Sequence, residues 1–128
     1  MTAPLPEPMF LITARQLQQL DAIRLAEFHR VCVRALRERH EEDAAAFDGA
    51  ALLALVKKVD GRATGEFALD VEEHRFKLMV IALKHPLLAA ETVPDDIVDL
   101  MTWPDRPVDR KFAMLEKRLG AGAPKGGG

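Results

Sequence analysis

The sequence is poor in the residues that small proteins use for covalent or metal-dependent stabilisation. Its 128 residues include a single cysteine, Cys32, and no tyrosine. One cysteine excludes an internal disulfide and every zinc site that is built from cysteine pairs. A chain of this length can bury about two-thirds of its unfolded surface, so we expect one domain with an ordinary hydrophobic core.

A charge of one sign and a long apolar run are also missing. The chain has 18 lysines and arginines against 20 aspartates and glutamates, a net charge of -2, which gives no general attraction to nucleic acid or to an anionic membrane. The longest apolar run, residues 78–83, is far shorter than the roughly 20 residues of a membrane span. The first ten residues lack the basic start and apolar stretch of a signal peptide. We therefore expect a cytoplasmic protein without membrane contact.

Motifs of catalysis are absent as well. The sequence has no phosphate-binding Gly-x-x-x-x-Gly-Lys loop, no Gly-x-Gly-x-x-Gly and no Gly-x-Ser-x-Gly elbow. None of the four histidines has a glutamate three residues before it, the spacing that metal sites in helical bundles use. Cys32 lies among apolar neighbours and is predicted to be a buried structural thiol rather than a nucleophile. We expect no catalytic residues, no metal and no cofactor.

The strongest structural signal is a helix from Asp70 to His85. Asp70 and Glu73 have the spacing of a capping box, and Pro86 stops the helix. Apolar residues cover most of its circumference, which predicts that other helices surround it.

Other helices are predicted on both sides of this central one. A long amphipathic helix follows Thr13 and runs to about His40, with Leu20, Leu25 and Val31 on its apolar side. A second helix covers residues 50–59 and is closed by Asp60-Gly61, before a connector over residues 61–69 in which Phe67 and Leu69 pack. The joint over residues 40–48 is left open. A short helix ends near Met101, and a last one runs from Pro107 to Leu119.

These elements predict an all-α fold, a compact bundle of about five helices around the central helix. No segment alternates with period two, so no sheet is expected. Residues 1–8 carry three prolines and are predicted to form a disordered arm, and Met9 is an alternative start of the chain. Residues 9–119 are predicted to form a single helical domain, and residues 120–128 are predicted to form a flexible glycine-rich tail.

Arg30, Arg34 and Arg37 align on one side of the long helix and are the strongest basic feature of the sequence. A ladder of arginines can bind phosphates. However, glutamates three or four residues away neutralise much of the ladder, and few aromatics are available to stack on bases. We interpret the ladder as a solvated face or partner surface and do not expect nucleic-acid binding.

Arg75 and Trp103 each allow two interpretations. Arg75 falls inside the apolar arc of the central helix, where an unpaired guanidinium is costly. It has an internal carboxylate partner, extends to the rim, or faces a groove used by a partner protein. The acids proposed to pair with it are Glu72, Asp21, Asp95, Asp96 and Asp99. Trp103, beside a proline, either pins the last helix or is an exposed interface residue.

The order of apolar residues resembles small helical proteins of unknown activity that accompany bacterial type VI secretion loci. The resemblance covers about residues 9–119, although His85-Pro86 replaces the glycine expected after the central helix. It is carried by Met9-Phe10-Leu11-Ile12-Thr13, Gln16, Leu20, Phe28, Leu36-Arg37, Leu69, Val71, Leu78-Met79, Trp103, Arg110 and Leu115. The resemblance implies an accessory or adaptor role and transfers no catalytic residues.

Together these features predict a non-catalytic module that binds another protein, as an adaptor, chaperone or accessory of a bacterial secretion system. The candidate partner-binding residues are Arg75, Trp103, Arg30, Arg34 and Arg37. A small regulatory nucleic-acid-binding protein is the alternative, and a hydrolase comes third. The partner and the oligomeric state are not specified by the sequence.

Overall fold

The computed structural model describes residues 14–120, with side chains from residue 18 onward. This part of the chain is all-α and compact, as the sequence predicts, and contains no strand. The predicted arm over residues 1–8, the alternative start at Met9 and the tail beyond Gly120 lie outside the described residues. The helices are α1 (Ala14–Arg39), α2 (Glu41–Ala44), α3 (Gly49–Gly65), α4 (Glu72–Lys84), a 3₁₀ helix (Pro86–Ala89), α5 (Asp95–Met101) and α6 (Val108–Gly120).

The centre of the fold is the pair formed by α3 and α4. Helix α4 packs against α3 most extensively and also contacts α2, the 3₁₀ helix and α6. Its apolar run is buried from several sides, because Leu78, Met79 and Ala82 are fully enclosed and Ile81 and Leu83 nearly so. The all-round apolar character of this helix in the sequence thus corresponds to its central position.

The predicted capping box of the central helix is wrong. Helix α4 begins at Glu72, its N-cap residue is Val71, and no side chain caps this end. Asp70 lies one residue further from the helix than a cap requires. At the other end the helix stops at Lys84 and Pro86 opens the 3₁₀ helix, so the proline does end α4 as expected.

Helix α3 is longer than the sequence pattern predicts. The pair Asp60-Gly61 was expected to close it, but the helix continues to Gly65. Its start is capped by Asp48, whose side chain accepts a hydrogen bond of 2.7 Å from the backbone N–H of Ala51. After the helix, Phe67 and Leu69 are buried as expected. Asp60 is therefore a residue of the helix interior, and its side chain points into the core.

The joint after α1 contains a separate short helix. The chain leaves helical geometry at His40, and α2 forms one turn before α3 begins. The guanidinium of Arg37 stabilises this joint by donating to the backbone carbonyls of Ala44 and Phe47, at 2.9 and 2.8 Å. Arg37 is therefore part of the framework rather than of a solvated ladder.

The first half of α1 is less covered by the rest of the protein than the second half. Every side chain from residue 18 to residue 27 is exposed, and the first buried one is that of His29. The apolar side that the sequence predicts for α1 is only partly covered, since Leu20, Leu25 and Val31 are 38, 44 and 50% exposed. Only a narrow strip of the second half, with Cys32 and Leu36, reaches the core.

A second buried guanidinium joins α3 to the segment after α4. Arg62 is nearly inaccessible and donates to the carbonyls of Leu88, Ala90 and Glu91, at 2.6, 2.8 and 3.0 Å. These carbonyls lie at the end of the 3₁₀ helix and just after it, where helical partners are missing. The guanidinium replaces those partners and fixes the turn that leads to α5.

Helices α5 and α6 pack against each other and complete the fold. Ile97 and Met101 of α5 and Phe112 and Leu115 of α6 are fully buried. The corner between the two helices carries Trp103, about half of which stays exposed. None of the described helices combines the length and the apolar content that crossing a bilayer requires.

Candidate functional site

Three helices meet at one buried carboxylate. Asp60 of α3 is only 2% exposed, and both of its oxygens bind Arg75 of α4: Nε lies 2.7 Å from Oδ1 and Nη2 lies 2.7 Å from Oδ2. Nε2 of His29 on α1 lies 2.7 Å from Oδ2 of the same carboxylate. We call these three residues the Asp60 cluster.

The charges of the Asp60 cluster compensate one another. Burial opposes ionisation of the Asp60 carboxyl, but the hydrogen bonds from Arg75 and His29 outweigh it, so its pKa lies below the ordinary value. The hydrogen bond to Asp60 raises the pKa of Arg75, which keeps that guanidinium charged. Because an ionised carboxylate can only accept, Nε2 of His29 donates to it.

Cys32 lies close to the Asp60 cluster and is chemically quiet. Burial and the nearby Asp60 charge raise the pKa of this thiol to about 12. A thiol protonated at neutral pH is a poor nucleophile and a poor metal ligand. The residue is buried as the sequence predicts, and its position beside an Asp–His pair does not create a reactive cysteine.

An internal carboxylate is one of the partners that the sequence predicts for Arg75, and the structure shows that this carboxylate is Asp60. Asp60 was not among the acids proposed, because Asp60-Gly61 has the pattern of a helix end. One signal could have revealed it. Asp60 lies four residues after Val56 and three before Ala63, both fully buried, so a longer helix places it on the inner face.

The side chain of Arg75 is also partly accessible to solvent. Its guanidinium lies over the ring of Phe28, with 4.4 Å between Cζ and the ring centroid, and its side chain is 13% exposed. Arg75 lines a groove of about 180 Å³ between the first half of α1 and the start of α4. The other lining residues are Asp21, Arg24, Leu25, Phe28 and Glu72. We call this the Arg75 groove.

Trp103 lies at the corner between α5 and α6 and is 49% exposed. Cζ of Arg106 lies 4.7 Å from the centroid of its ring, and the same guanidinium contacts the sulfur of Met114. A cleft of about 200 Å³ opens beside the ring. It is lined by Asp96, Asp99, Leu100, Trp103, Arg106 and Met114. We call it the Trp103 cleft.

Arg30, Arg34 and Arg37, the predicted ladder of α1, do not form one surface. Arg30 is exposed and pairs with Glu27 one turn away, and Arg34 is exposed. Arg37 binds the two carbonyls at the joint after α1 and is partly buried. The structure brings none of the three together with Arg75 or Trp103 in a single groove among the described residues.

A third concavity, of about 500 Å³, lies between the end of α1, α4 and α6. Phe76 and Val80 form its apolar floor, and charged groups of both signs surround it, including Arg39, Lys77 and Asp109. No group of three potential ligands that could hold a metal ion occurs within residues 14–120. The described part of the chain thus carries three separate concave surfaces.

No family model, curated protein or solved structure matches this chain.

Proposed function

We propose that the protein is a non-catalytic module that binds another protein through the Trp103 cleft. The observation that carries the proposal is the half-exposed Trp103 ring, held in place by Arg106 above an apolar floor. Tryptophan and arginine are the residue types most enriched among those that dominate binding energy at protein interfaces. A side chain fixed before binding loses less entropy on association than a mobile one.

The walls of the cleft define the chemistry of the partner. Leu100 and Met114 offer an apolar surface next to the Trp103 ring. Asp96 is held by Arg118 on α6, with 2.6 Å between Oδ2 and Nε, whereas no Lys or Arg side chain among the described residues lies within 4.0 Å of Asp99. We infer that the partner inserts an apolar side chain beside the tryptophan and places a neighbouring lysine or arginine against Asp99.

The arginine ladder of α1 does not support nucleic-acid binding. Arg37 is engaged with backbone carbonyls and Arg30 with Glu27, which leaves one of the three arginines unengaged by the described residues. Of this ladder only Arg34 remains to contact a phosphate, which is little of the contact that such binding requires. The alternative function therefore lacks a specific observation in its favour.

The secretion context of the proposal depends on the sequence resemblance alone. We propose that the partner is a component of a bacterial secretion system, because the apolar pattern resembles type VI accessory proteins. Secretion components encoded beside this gene would support this part of the proposal, and a neighbourhood without them would argue against it. Binding through the Trp103 cleft can be tested independently of that outcome.

The test combines capture and measurement of affinity. The immobilised full chain is exposed to lysate of its own source, and each retained protein is purified and titrated against wild type and Trp103→Ala. The proposal expects a retained protein whose affinity falls at least about tenfold with the alanine variant, since removal of a central interface tryptophan costs about 2 kcal/mol or more.

Two further variants test whether the loss of affinity is specific to the Trp103 cleft. Asp99→Lys reverses one charge in the cleft and should weaken binding, whereas Leu87→Ala removes a comparably exposed apolar side chain outside the cleft and should not. Circular dichroism and thermal melting confirm that all variants remain folded. Equal affinities for wild type, Trp103→Ala and Asp99→Lys would contradict the proposal.

A further inference from the structure

We propose that the outer face of α1 binds the same face of a second copy of this chain, with the two helices antiparallel. The face consists of exposed residues at alternating spacings of four and three: Leu20, Arg24, Glu27, Val31 and Arg34. We call it the α1 seam. It is separate from the Trp103 cleft, so the inference does not depend on the function proposed above.

The α1 seam faces away from the core. At about 100° per residue, it lies about 140° round the helix from the buried strip that contains Cys32 and Leu36. The body of the protein therefore lies behind the helix, and a second copy can reach the seam. Leu20 and Val31 are 38 and 50% exposed, and Ile23, which borders the seam, is 61% exposed. A second helix on this face would remove that apolar area from water.

The spacing of the seam is the one with which two helices pack along a line. Alternating steps of four and three average 3.5 residues, the repeat of helix pairs. In an antiparallel pair, four residues up one helix correspond to four residues down the other. A register in which Leu20 faces Val31 of the second copy therefore also brings Arg24 opposite Glu27 of the second copy. Two-fold symmetry repeats both layers, so two ion pairs lie between two apolar layers.

The charges of the seam favour the antiparallel orientation over the parallel one. In a parallel pair each residue faces its own counterpart, which would bring Arg24 opposite Arg24 and Glu27 opposite Glu27. No carboxylate of the described residues lies within 4.0 Å of Arg24. Glu27 contacts Arg30 through Oε1 in an exposed pair, which leaves its second oxygen to accept from Arg24 of the second copy.

The small extent of the seam sets the expected affinity. Two apolar layers and two ion pairs form an interface at the low end of specific interfaces, and polar layers fix the register of a helix pair at a cost in stability. We expect a Kd on the order of 100 µM. So weak a dimer leaves much of the protein monomeric, and residues 18–27 remain the less protected half of α1.

The experiment measures self-association of the full chain by sedimentation equilibrium, from about 5 µM to about 1 mM. Glu27→Arg brings two cationic side chains together in both central layers, and Arg24→Glu brings two anionic ones together. Each single variant should weaken the dimer at least about tenfold. The double variant Arg24→Glu/Glu27→Arg exchanges the charges within each layer and should restore the affinity of wild type to within about threefold.

A mixture and two control variants make the test specific. The two single variants, mixed, have complementary charges and should form a heterodimer about as stable as the wild-type dimer. Lys58→Glu and Glu116→Arg make the same changes of charge at exposed positions outside α1 and should leave self-association unchanged. Circular dichroism checks that each variant remains folded.

Three results would overturn the proposal. Wild type that stays monomeric up to about 1 mM would exclude the dimer. Single variants that associate as strongly as wild type would place the contact elsewhere. A double variant as weak as the single ones would exclude the antiparallel register.

Discussion

At the scale of single residues, Asp60 is the buried polar side chain through which α1, α3 and α4 are joined. It accepts hydrogen bonds from two other helices, and its burial leaves no room for solvent to replace them. A buried carboxylate paired in this way adds little net stability compared with apolar residues, but removing one partner leaves an uncompensated charge. The cluster thus favours one arrangement of α1, α3 and α4 over others.

Replacing Asp60 by asparagine should destabilise the protein strongly. The variant preserves shape but leaves the Arg75 guanidinium buried without a counter-charge, at an expected cost of about 3–5 kcal/mol. Urea denaturation measures this loss in the free energy of unfolding. Asp99→Asn, at an exposed position, is the matched control and should change stability by less than about 0.5 kcal/mol. A similar small loss for both variants would contradict the role assigned to Asp60.

The same carboxylate predicts how stability depends on pH. Because the pKa of Asp60 is lower in the folded than in the unfolded protein, its contribution is fully present above the unfolded pKa of about 4 and is lost as pH falls through the folded pKa. Arg75 remains charged throughout this range. Denaturation between pH 2 and about 6 should therefore show a steeper acid loss for wild type than for Asp60→Asn. Parallel curves would contradict the prediction.

At this scale the sequence predicts that the Arg75 charge requires a compensating group, but it does not identify that group. The position of Arg75 among apolar neighbours indicates that it requires compensation, and the structure supplies a carboxylate. The identity of that carboxylate depends on tertiary contacts between α3 and α4, which helical periodicity does not specify. His29 carried no signal beyond a possible metal ligand, because its partner is distant in the sequence.

At the scale of elements, the length of α3 is the feature that local sequence signals get wrong. Gly61 was interpreted as the end of the helix, but it lies within it, and a Cβ added there would have no neighbour within 4 Å. Glycine is a weak helix former at such a position because it loses more backbone entropy than alanine. The helix continues past Gly61 because the residues on both sides of the glycine are buried in the core: Val59, Asp60, Arg62 and Ala63.

Gly61→Ala should therefore stabilise the protein, by about 0.5–1 kcal/mol. The measurement is the midpoint of chemical denaturation. If the helix ended at Asp60 and Gly61 adopted the left-handed conformation common after helix ends, alanine would destabilise the protein instead. The sign of the change thus distinguishes the observed helix from the predicted one.

The two halves of α1 should differ in how well their backbone amides are protected from hydrogen exchange. The side chains of residues 18–27 are all exposed, and isolated helices shorter than about 12–15 residues are marginal in water. We expect amide hydrogens of residues 18–27 to exchange much faster than those of residues 32–39, where Cys32 and Leu36 are buried. Hydrogen exchange followed by NMR measures the difference. Uniform protection along α1 would contradict the observed packing.

At the scale of the whole molecule, the sequence predicts the class of the fold better than its surfaces. The all-α architecture and the central position of α4 follow from apolar periodicity and from one nearly all-apolar helix. The exposure of the apolar side of α1 does not follow from this pattern, because an exposed helix can carry the same apolar spacing as a covered one. The Trp103 cleft depends on how α5 and α6 meet, which is equally non-local.

We propose that Trp103 becomes buried when the partner protein binds. Since Trp103 is the only tryptophan, incorporation of 5-fluorotryptophan gives a single ¹⁹F resonance that reports on this site alone. On addition of the purified retained partner, the resonance should shift or broaden, and its solvent isotope shift between H₂O and D₂O should decrease. A resonance and isotope shift that remain unchanged when the partner is bound would contradict the claim.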